Sequence, residues 1–332
     1  MIKIIKKFST LALCLLLVAC NNGGSTTTSE SESSDHKTIG AIQFVEHPAL
    51  DSATEGFKAA LADNGFVEGE NLTIDYHNAQ ADQSNCETIA NKFVNANVDL
   101  IFANATPAAQ AVAAKTDDIP IIVTSVTDPK SAGLVKSNEL PETNVSGTSD
   151  LTPVKEQIDL LLQILPETKT IGVMYTGSEE NSIFQANIAK EYIDSLGLDY
   201  LEATVSDSNA IQQVTESIIG KVDALYIPTD NLLAEGMVNV TQITHANNLP
   251  TIVGEIGVVE NGGLATYGIN YYNLGYLAGE MAAKVLNGED VSKMPIGYLP
   301  AEECELSINK TAMEQLGITI DEEILSKAII VE

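Results

Sequence analysis

Short β-branched runs alternate with amphipathic segments from Thr38 to about residue 125. This alternation is typical of a parallel sheet whose two faces are both covered by helices. The predicted strands are TIGAIQFV (38–45), NLTIDYH (71–77), VDLIFAN (98–104) and IPIIVTS (119–125). The helices predicted between them are SATEGFKAALADNG, SNCETIANKFVNAN and PAAQAVAAKT.

Each of these three helices carries a sequence signal for its first turn. Ser52 with Glu55 and Ser84 with Glu87 have the spacing of a capping box. In the third helix, Thr106 offers a capping hydroxyl directly before a proline, which suits the first helical position. We therefore expect the helices to begin at these residues.

The second half of the chain repeats the pattern, which predicts an α/β fold of two doubly wound parallel-sheet lobes with a ligand cleft between them. We place lobe I at residues 37–150 plus about 268–295, and lobe II at 151–267 plus about 296–332. The helix NLGYLAGEMAAKVLNGE and a strand–helix tail over 297–332 then pack on one lobe or cross between the lobes. After a predicted helix at PVKEQIDLLLQIL, the strands of this half are TIGVMYT (170–176), LDYLEATV (198–205), VDALYIPT (222–229) and LPTIVGE (249–255).

The first residues of the chain have the features of an export signal. Three lysines precede an apolar run over 11–19 that is too short to cross a bilayer but suits a signal peptide at 1–19. The segment Leu17-Val18-Ala19-Cys20 resembles the lipobox of bacterial lipoproteins, in which the cysteine receives lipid such as palmitate. The polar, low-complexity residues 20–36 then form a disordered tether. We expect an extracytoplasmic protein anchored to the cell membrane through Cys20.

The charge of the chain limits its partners. The sequence has 17 basic and 46 acidic residues, for a net charge of −29, and contains no arginine. Such an acidic surface repels phosphate backbones, which argues against nucleic acid as a partner. Without arginine, any bound anion must be held by helix N-termini and hydroxyl groups and not by a guanidinium fork.

Motifs for catalysis, metal binding or disulfides are missing from the sequence. Cys86 and Cys304 lie too far apart to indicate a disulfide framework, and Cys86 falls on the apolar face of its predicted helix. The four histidines are scattered, with no CxxC or HExxH spacing, and no GxSxG, GxGxxG or Walker sequence is present. We therefore predict no metal, no cofactor and no catalytic residue, and a protein that is not an enzyme.

Candidate ligand-binding residues follow from the fold, because ligands of doubly wound sheets bind at the carboxyl ends of the strands. In lobe I, Thr106, the backbone of Ala108, Ser125 and Thr127 lie at neighbouring strand ends and suit an anion. A single capping threonine more often only caps its helix, so this alternative stays open for Thr106.

In lobe II, Asp230 directly follows the strand VDALYIPT and either holds an ammonium group or caps the next helix. Glu255 at the next strand end is a second, weaker candidate for the same role. His47 makes either a structural or a ligand-orienting hydrogen bond. Phe44 and Tyr175 end the first strand of each lobe and belong either to the ligand pocket or to the core.

Several ordered segments resemble the ABC-transporter substrate-binding proteins for tryptophan or tyrosine, over about residues 37–320. That family has a type I periplasmic-binding-protein fold. Among the matching segments, ATPAA, SVTDP and PTDN fall on the predicted strand ends. Members often carry a DED-like stretch after the last strand of the second lobe, where this chain has Gly254-Glu255-Ile256-Gly257. The segments are EHPALDSATEGFKAAL, NAQADQSN, ATPAAQAVA, VTDPKSAGLVKS, NVSGTSDLTPVKEQIDLL, VDALYIPTDN and GGLATYGINYYNLGYLAGEMAAKVLNGE.

The resemblance implies a receptor that closes around an aromatic amino acid and delivers it to an ABC permease driven by a separate ATPase. We expect a monomer in which Thr106, Ala108, Ser125 and Thr127 bind the carboxylate and Asp230 binds the ammonium group, with closure about a hinge. Two alternatives stay open. One is a receptor for another small solute, a sugar or nucleoside, and the other is a ligand-sensing partner of a membrane signalling protein.

Overall fold

The computed structural model of the chain describes residues 36–300 and 303–332. The predicted signal peptide, Cys20 and nearly all of the tether therefore lie outside the described residues. Within the described part, no helix combines the length and the apolar character that a membrane crossing requires.

A five-stranded parallel sheet forms the first half of the fold, which we call lobe I. Its strand order is β2-β1-β3-β4-β5. Every residue of the central strand β3 is buried, because helices cover both faces of the sheet. The elements are β1 (Lys37–Gln43), α1 (Pro48–Asp63), β2 (Leu72–Asn78), α2 (Gln83–Ala96), β3 (Leu100–Asn104), α3 (Thr106–Ala113), β4 (Ile121–Thr124) and β5 (Val145–Gly147).

A seven-stranded sheet forms the second half, which we call lobe II. Its order is β12-β11-β10-β9-β8-β6-β7, and only the β10–β11 pair is antiparallel. Helix α9 (Tyr271–Leu286) also lies in this part of the chain but packs on lobe I. The elements of lobe II are α4 (Val154–Ile164), β6 (Thr170–Thr176), α5 (Glu180–Ser195), β7 (Asp199–Val205), α6 (Ile211–Ile218), β8 (Ala224–Ile227), α7 (Asn231–Ala246), β9 (Thr251–Val253), α8 (Ile256–Glu260), β10 (Ala265–Gly268), β11 (Glu305–Asn309), α10 (Lys310–Gln315), α11 (Glu322–Leu325) and β12 (Ile329–Val331).

The structure confirms the predicted α/β class and all eight predicted strands, and it adds the short strands β5 and β10. The predicted strand–helix tail joins the edge of the second sheet through β11 and β12. Cys86 is buried in the core of lobe I as predicted, and both Cys86 and Cys304 are free thiols.

The predicted start signals of the first three helices are wrong. Helix α1 begins at Pro48 with His47 as its N-cap, so Ser52 lies inside the helix. Helix α2 is capped by Asp82, whose side chain accepts from the backbone N–H of Asn85. Helix α3 has Ala105 as its N-cap, and Thr106 is already its first helical residue.

The chain passes between the two sheets three times: after Gly147, after Gly268, and between Ile296 and Glu305. After the second passage, α9 returns to lobe I and packs along α1. Glycine at position 275 allows this contact. A Cβ atom there would lie 1.9 Å from the backbone oxygen of Ala53, so any side chain would clash with α1. The residue ranges expected for the two lobes from the sequence remain a prediction. Lobe I denotes the five-stranded sheet with its helices, and lobe II denotes the seven-stranded sheet with its helices.

Candidate functional site

A small enclosed space lies where strand ends of both sheets meet, and we call it the inner cavity. Its volume of about 10 Å³ has room for about one water molecule. Polar side chains dominate its lining. The lining residues are His47, Leu50, Ser125, Asp150, Asn181, Thr229, Asp230, Asn231, Glu255 and Tyr271.

A wider depression, which we call the outer cleft, has a volume of about 670 Å³. Apolar side chains on both walls of the cleft could contact an apolar group of a ligand, and polar side chains surround them. It lies between Phe44, Gln80, Ala81, Asp82, Gln83, Pro107 and Gln110 on the lobe I side and Thr176, Ser178, Glu179, Ser206, Asp207, Ser208, Ile211, Leu232, Glu235, Gly236 and Asn239 on the lobe II side.

On the lobe I side, hydroxyl groups lie at the ends of β3 and β4. The Oγ atom of Ser125 is buried without a hydrogen-bond partner and lines the inner cavity. Thr106 Oγ1 is also buried and unpartnered, although neither Thr106 nor Ala108 lines either cavity. Thr127 is engaged within the protein, since its hydroxyl donates to Asp150 at 3.1 Å and accepts from Gln185 at 3.2 Å. Of the two unpartnered hydroxyl groups, that of Ser125 is thus the one that lines the inner cavity.

On the lobe II side, Asp230 caps α7 by accepting from the N–H of Leu233 at 2.9 Å. It also accepts from the backbone N–H of Thr176 at 2.6 Å and from its hydroxyl at 2.8 Å. The capping role considered from the sequence is therefore present, and Asp230 lines the inner cavity as well. A carboxylate has lone pairs for a further donor, so capping leaves the proposed contact with a ligand open.

Glu255 stands at the start of α8 and makes no capping hydrogen bond there. Its Oε1 atom is buried without a partner and lies 3.7 Å from Nδ1 of His47, which is also unpartnered. The other ring nitrogen of His47, Nε2, lies 3.4 Å from Oδ1 of Asn231. His47 therefore reaches from lobe I to two residues of lobe II.

Burial of these groups shifts their protonation. Burial raises the pKa of Glu255 to about 8, and the nearby Asp150 carboxylate adds to the shift. Burial also raises the pKa values of Asp150, Asp230 and Glu179. It lowers the pKa of His47 to about 4, so this imidazole is neutral at pH 7. The cavity therefore holds several carboxyl groups and no cationic side chain of its own.

The remaining predicted residues lie in different places. Phe44 is buried at the end of β1 and forms part of the outer cleft. Tyr175 lies in neither cavity, because its side chain is in the core of lobe II and its hydroxyl donates to Glu202.

Sequence analysis did not single out Asp150, Asn181 and Tyr271, which also line the inner cavity. Asp150 follows β5 in the first crossing between the sheets and accepts from the Tyr271 hydroxyl at 2.8 Å. Asn181 follows the carboxyl end of the strand over 170–176, where ligand-binding residues are expected, and this position was the signal that could have identified it.

The arrangement favours a ligand with charges of both signs. Unused hydroxyl donors lie on the lobe I side, whereas carboxylates and the unpartnered Oδ1 of Asn181 lie on the lobe II side. Within residues 36–300 and 303–332, no group of three or more His, Cys, Asp or Glu side chains is arranged to hold a metal ion. The carboxylates that line the lobe II side of the inner cavity suit a positively charged group.

The family model described as ABC transporter substrate binding protein matches residues 38–331. A tyrosine-binding protein of Clostridioides difficile is 44% identical over 289 residues, covering 87% of this chain and 83% of the relative.

Two solved structures that are similar to this chain differ in their ligand state. The ABC domain of Streptococcus pneumoniae in complex with L-Trp has a TM-score of 0.86 at 36% identity, covering 90% of this chain and 100% of that one. The ligand-free, open structure of a substrate binding protein with adhesive properties from Clostridium difficile has a TM-score of 0.68 at 47% identity. The match covers 89% of this chain and 99% of that one. The chain thus superposes better on the L-Trp complex than on the open structure, although its sequence is more similar to the latter.

Proposed function

Because this chain belongs to the ABC transporter substrate-binding protein family, we propose that it binds an aromatic amino acid between its two lobes. It is a substrate-binding protein of an ABC transporter with the type I periplasmic-binding-protein fold, as the resemblance implied, and such proteins are extracytoplasmic. In this proposal, the two lobes close around the amino acid and present it to a membrane permease.

The observation that carries the proposal is the division of polar groups across the inner cavity. Ser125 Oγ and the N-terminus of α3 would receive the ligand carboxylate, with Thr106, Ala108 and Thr127 in support. Asp230, Glu255 and Asn181 would accept from the ammonium group. An α-amino acid carries both charges at the required spacing, and it needs no arginine from the protein.

Two relatives support an aromatic side chain, since one is named for tyrosine binding and the other was solved with L-Trp. In the outer cleft, Phe44, Pro107, Ile211 and Leu232 offer apolar surfaces for a ring. His47 would orient the amino acid from the inner cavity. The polar side chains of Gln80 and Asn239 would face a phenol hydroxyl or an indole N–H.

A thermal-shift screen of the twenty amino acids, nucleosides and sugars tests the proposal, because a ligand that binds only the folded state raises the unfolding temperature. We expect the largest increase with L-tyrosine or L-tryptophan. A response to a sugar or nucleoside and to no amino acid would overturn it. Neither a sugar nor an uncharged nucleoside supplies a positive charge for the carboxylates, so no feature of the cavity favours these ligands.

We also propose that the protein acts as a monomer, releases its ligand chemically unchanged, and is anchored by a lipid on Cys20. The lipobox-like sequence before Cys20 supports the anchor. Labelling of cells with palmitate should mark the wild-type chain and leave Cys20→Ala unlabelled. Continued partitioning of Cys20→Ala with membranes would contradict the anchor.

A further inference from the structure

The carboxyl groups around the inner cavity differ in the hydrogen bonds that they receive. Asp230 accepts three, from Thr176 N–H and hydroxyl and from Leu233 N–H. Glu179, behind Asn231, accepts from the backbone N–H groups of Asn231 and Leu232 and from two side-chain amides. Oε1 of Glu255 accepts none, and the one polar contact of its carboxyl group is with the Tyr271 hydroxyl, whose single proton is donated to Asp150. The protein therefore stabilises a negative charge on Asp230 and Glu179 far better than on Glu255.

The orientation of His47 points to the same conclusion. The amide of Asn231 donates through Nδ2 to Glu179, which turns its Oδ1 atom towards Nε2 of His47. Nε2 is therefore the nitrogen that carries hydrogen in the neutral ring, and Nδ1 presents a lone pair to Oε1 of Glu255 at 3.7 Å. Two lone pairs at this distance repel each other unless the carboxyl group carries a proton.

No positive side chain faces Glu255 from the elements packed around it. The titratable groups there are His47 before α1, Asp150 after β5, Glu179 before α5, Asp230 before α7 and Tyr271 at the start of α9. In the part of the chain that the structure describes, the lysine ion pairs that are present involve other carboxylates. A cation must therefore come from the ligand.

We propose that Glu255 carries a proton while the site is without ligand and releases it to solvent when the ammonium group of the ligand binds. The O–H bond of the Glu255 carboxyl group breaks, the proton passes to water, and the ammonium group keeps its three protons. The carboxylate then accepts a hydrogen bond from the ammonium group beside Oδ1 of Asn181. This inference rests on the proposed function, because it requires a ligand with an ammonium group.

The direction of the pH dependence follows from this exchange. Burial raises the pKa of Glu255 to about 8, so the free protein holds the proton over pH 5.5–7.5 and the complex does not. Acidification then favours the free protein, and the dissociation constant should rise about tenfold for each pH unit lost. His47, with its pKa lowered to about 4, stays neutral over the same range.

Calorimetry with L-tyrosine provides the test. At pH 7, titrations in buffers of different ionisation enthalpy should give close to one proton released for each L-tyrosine bound. Binding without a buffer-dependent enthalpy, and with the same dissociation constant at pH 5.5 and 7.5, would overturn the inference and leave the proposed function intact. If none of the twenty amino acids binds at any pH, the proposed function itself fails.

Glu255→Gln keeps the shape of the side chain and removes its titration. We expect this variant to bind L-tyrosine without proton release and with a pH-independent dissociation constant. Glu260→Gln is the matched control, since Glu260 lies on the same helix and is exposed, and it should behave like wild type.

The ligand-free protein offers a second measurement for the case in which Glu255→Gln binds too weakly. A carboxyl group whose pKa is raised on folding lowers stability as pH rises from about 4.5 to 8, because the folded state then holds more protons than the unfolded state. The unfolding temperature of wild type should fall over this range more than that of Glu255→Gln. Parallel curves for the two proteins would contradict a proton on Glu255.

Discussion

Ser125 and Ala105 hold the backbone at two neighbouring strand ends in the left-handed half of conformational space. Ser125 has φ of 54°, and Ala105 combines φ of 89° with ψ of 151°, a region that glycine alone normally occupies. Each such residue costs about 1–3 kcal/mol, so the surrounding contacts must fix it in place. The strain lies where Ser125 Oγ meets the inner cavity and where α3 begins. Its location favours a role for these residues in holding the ligand.

At this scale we predict that Ser125→Ala weakens binding of the preferred amino acid by about 10- to 100-fold. The reason is the loss of one hydrogen bond to a carboxylate, worth about 1.5–3 kcal/mol. Ser307→Ala is a matched control, because the Ser307 hydroxyl is equally buried and unpartnered but lies on β11 outside the inner cavity. Calorimetry on both variants decides the matter, and equal affinities would remove Ser125 from the site.

Helices α1 and α9 show how closely two elements approach when both contribute glycine. A Cβ atom on Gly56 would lie 2.0 Å from the backbone oxygen of Tyr272, and one on Gly275 would lie 1.9 Å from that of Ala53. Below this pair, Phe57 of α1 stacks on Phe102 of β3 with ring centroids 3.7 Å apart. The close contact binds α9, which comes late in the sequence, to the first sheet.

We predict that Gly275→Ala lowers the free energy of unfolding by about 3 kcal/mol. Alanine is the better helix former by about 0.5–1 kcal/mol, but the added carbon would overlap a backbone atom that cannot move alone, so overpacking outweighs propensity. Lys284→Ala on the exposed face of the same helix should change stability by less than about 0.5 kcal/mol. Denaturant unfolding measures both, and an unchanged Gly275→Ala would contradict the packing described.

How far the sequence predicts such elements depends on the length and periodicity of each segment. The strand over 170–176 has the bounds that its β-branched run predicts, whereas β5 (VSG) and the strand Ala265–Gly268 (ATYG) contain no run of apolar β-branched residues that would mark a strand. Helix starts were harder to predict, because Asp82 and Ser84 are both capping residue types two positions apart and the sequence does not show which of them caps the helix. In the site, Asp230 and Glu255 follow predicted strands, but Asp150 and Tyr271 are 121 residues apart and meet only through the crossings between sheets.

On the scale of the whole molecule, the two lobes lie close together around the inner cavity. The better superposition on the L-Trp complex than on the open structure indicates this arrangement. Contacts that join the lobes include Gln185 Nε2 to Thr127 Oγ1 at 3.2 Å and His47 Nε2 to Asn231 Oδ1 at 3.4 Å. A space of about 10 Å³ cannot admit an amino acid, so the lobes must separate before binding.

We predict that the observed association rate of L-tryptophan levels off at high ligand concentration, because separation of the lobes then limits the reaction. The chain contains no Trp, so stopped-flow fluorescence follows the ligand without background from the protein. Gln185→Ala removes a contact between the lobes and should raise the plateau. A rate that increases linearly with concentration would show that the free protein is already open.

The three passages of the chain between the sheets also decide when the protein can fold during its synthesis. Helix α1 is made early, but its partner α9 ends only at Leu286, and the second sheet gains its last strand at Ile329–Val331. Neither lobe is therefore complete until nearly the whole polypeptide has left the ribosome, which departs from the usual order of N-terminal domains first. This delay suits the export that the signal peptide predicted at residues 1–19 implies, since incomplete lobes cannot form a stable product ahead of translocation.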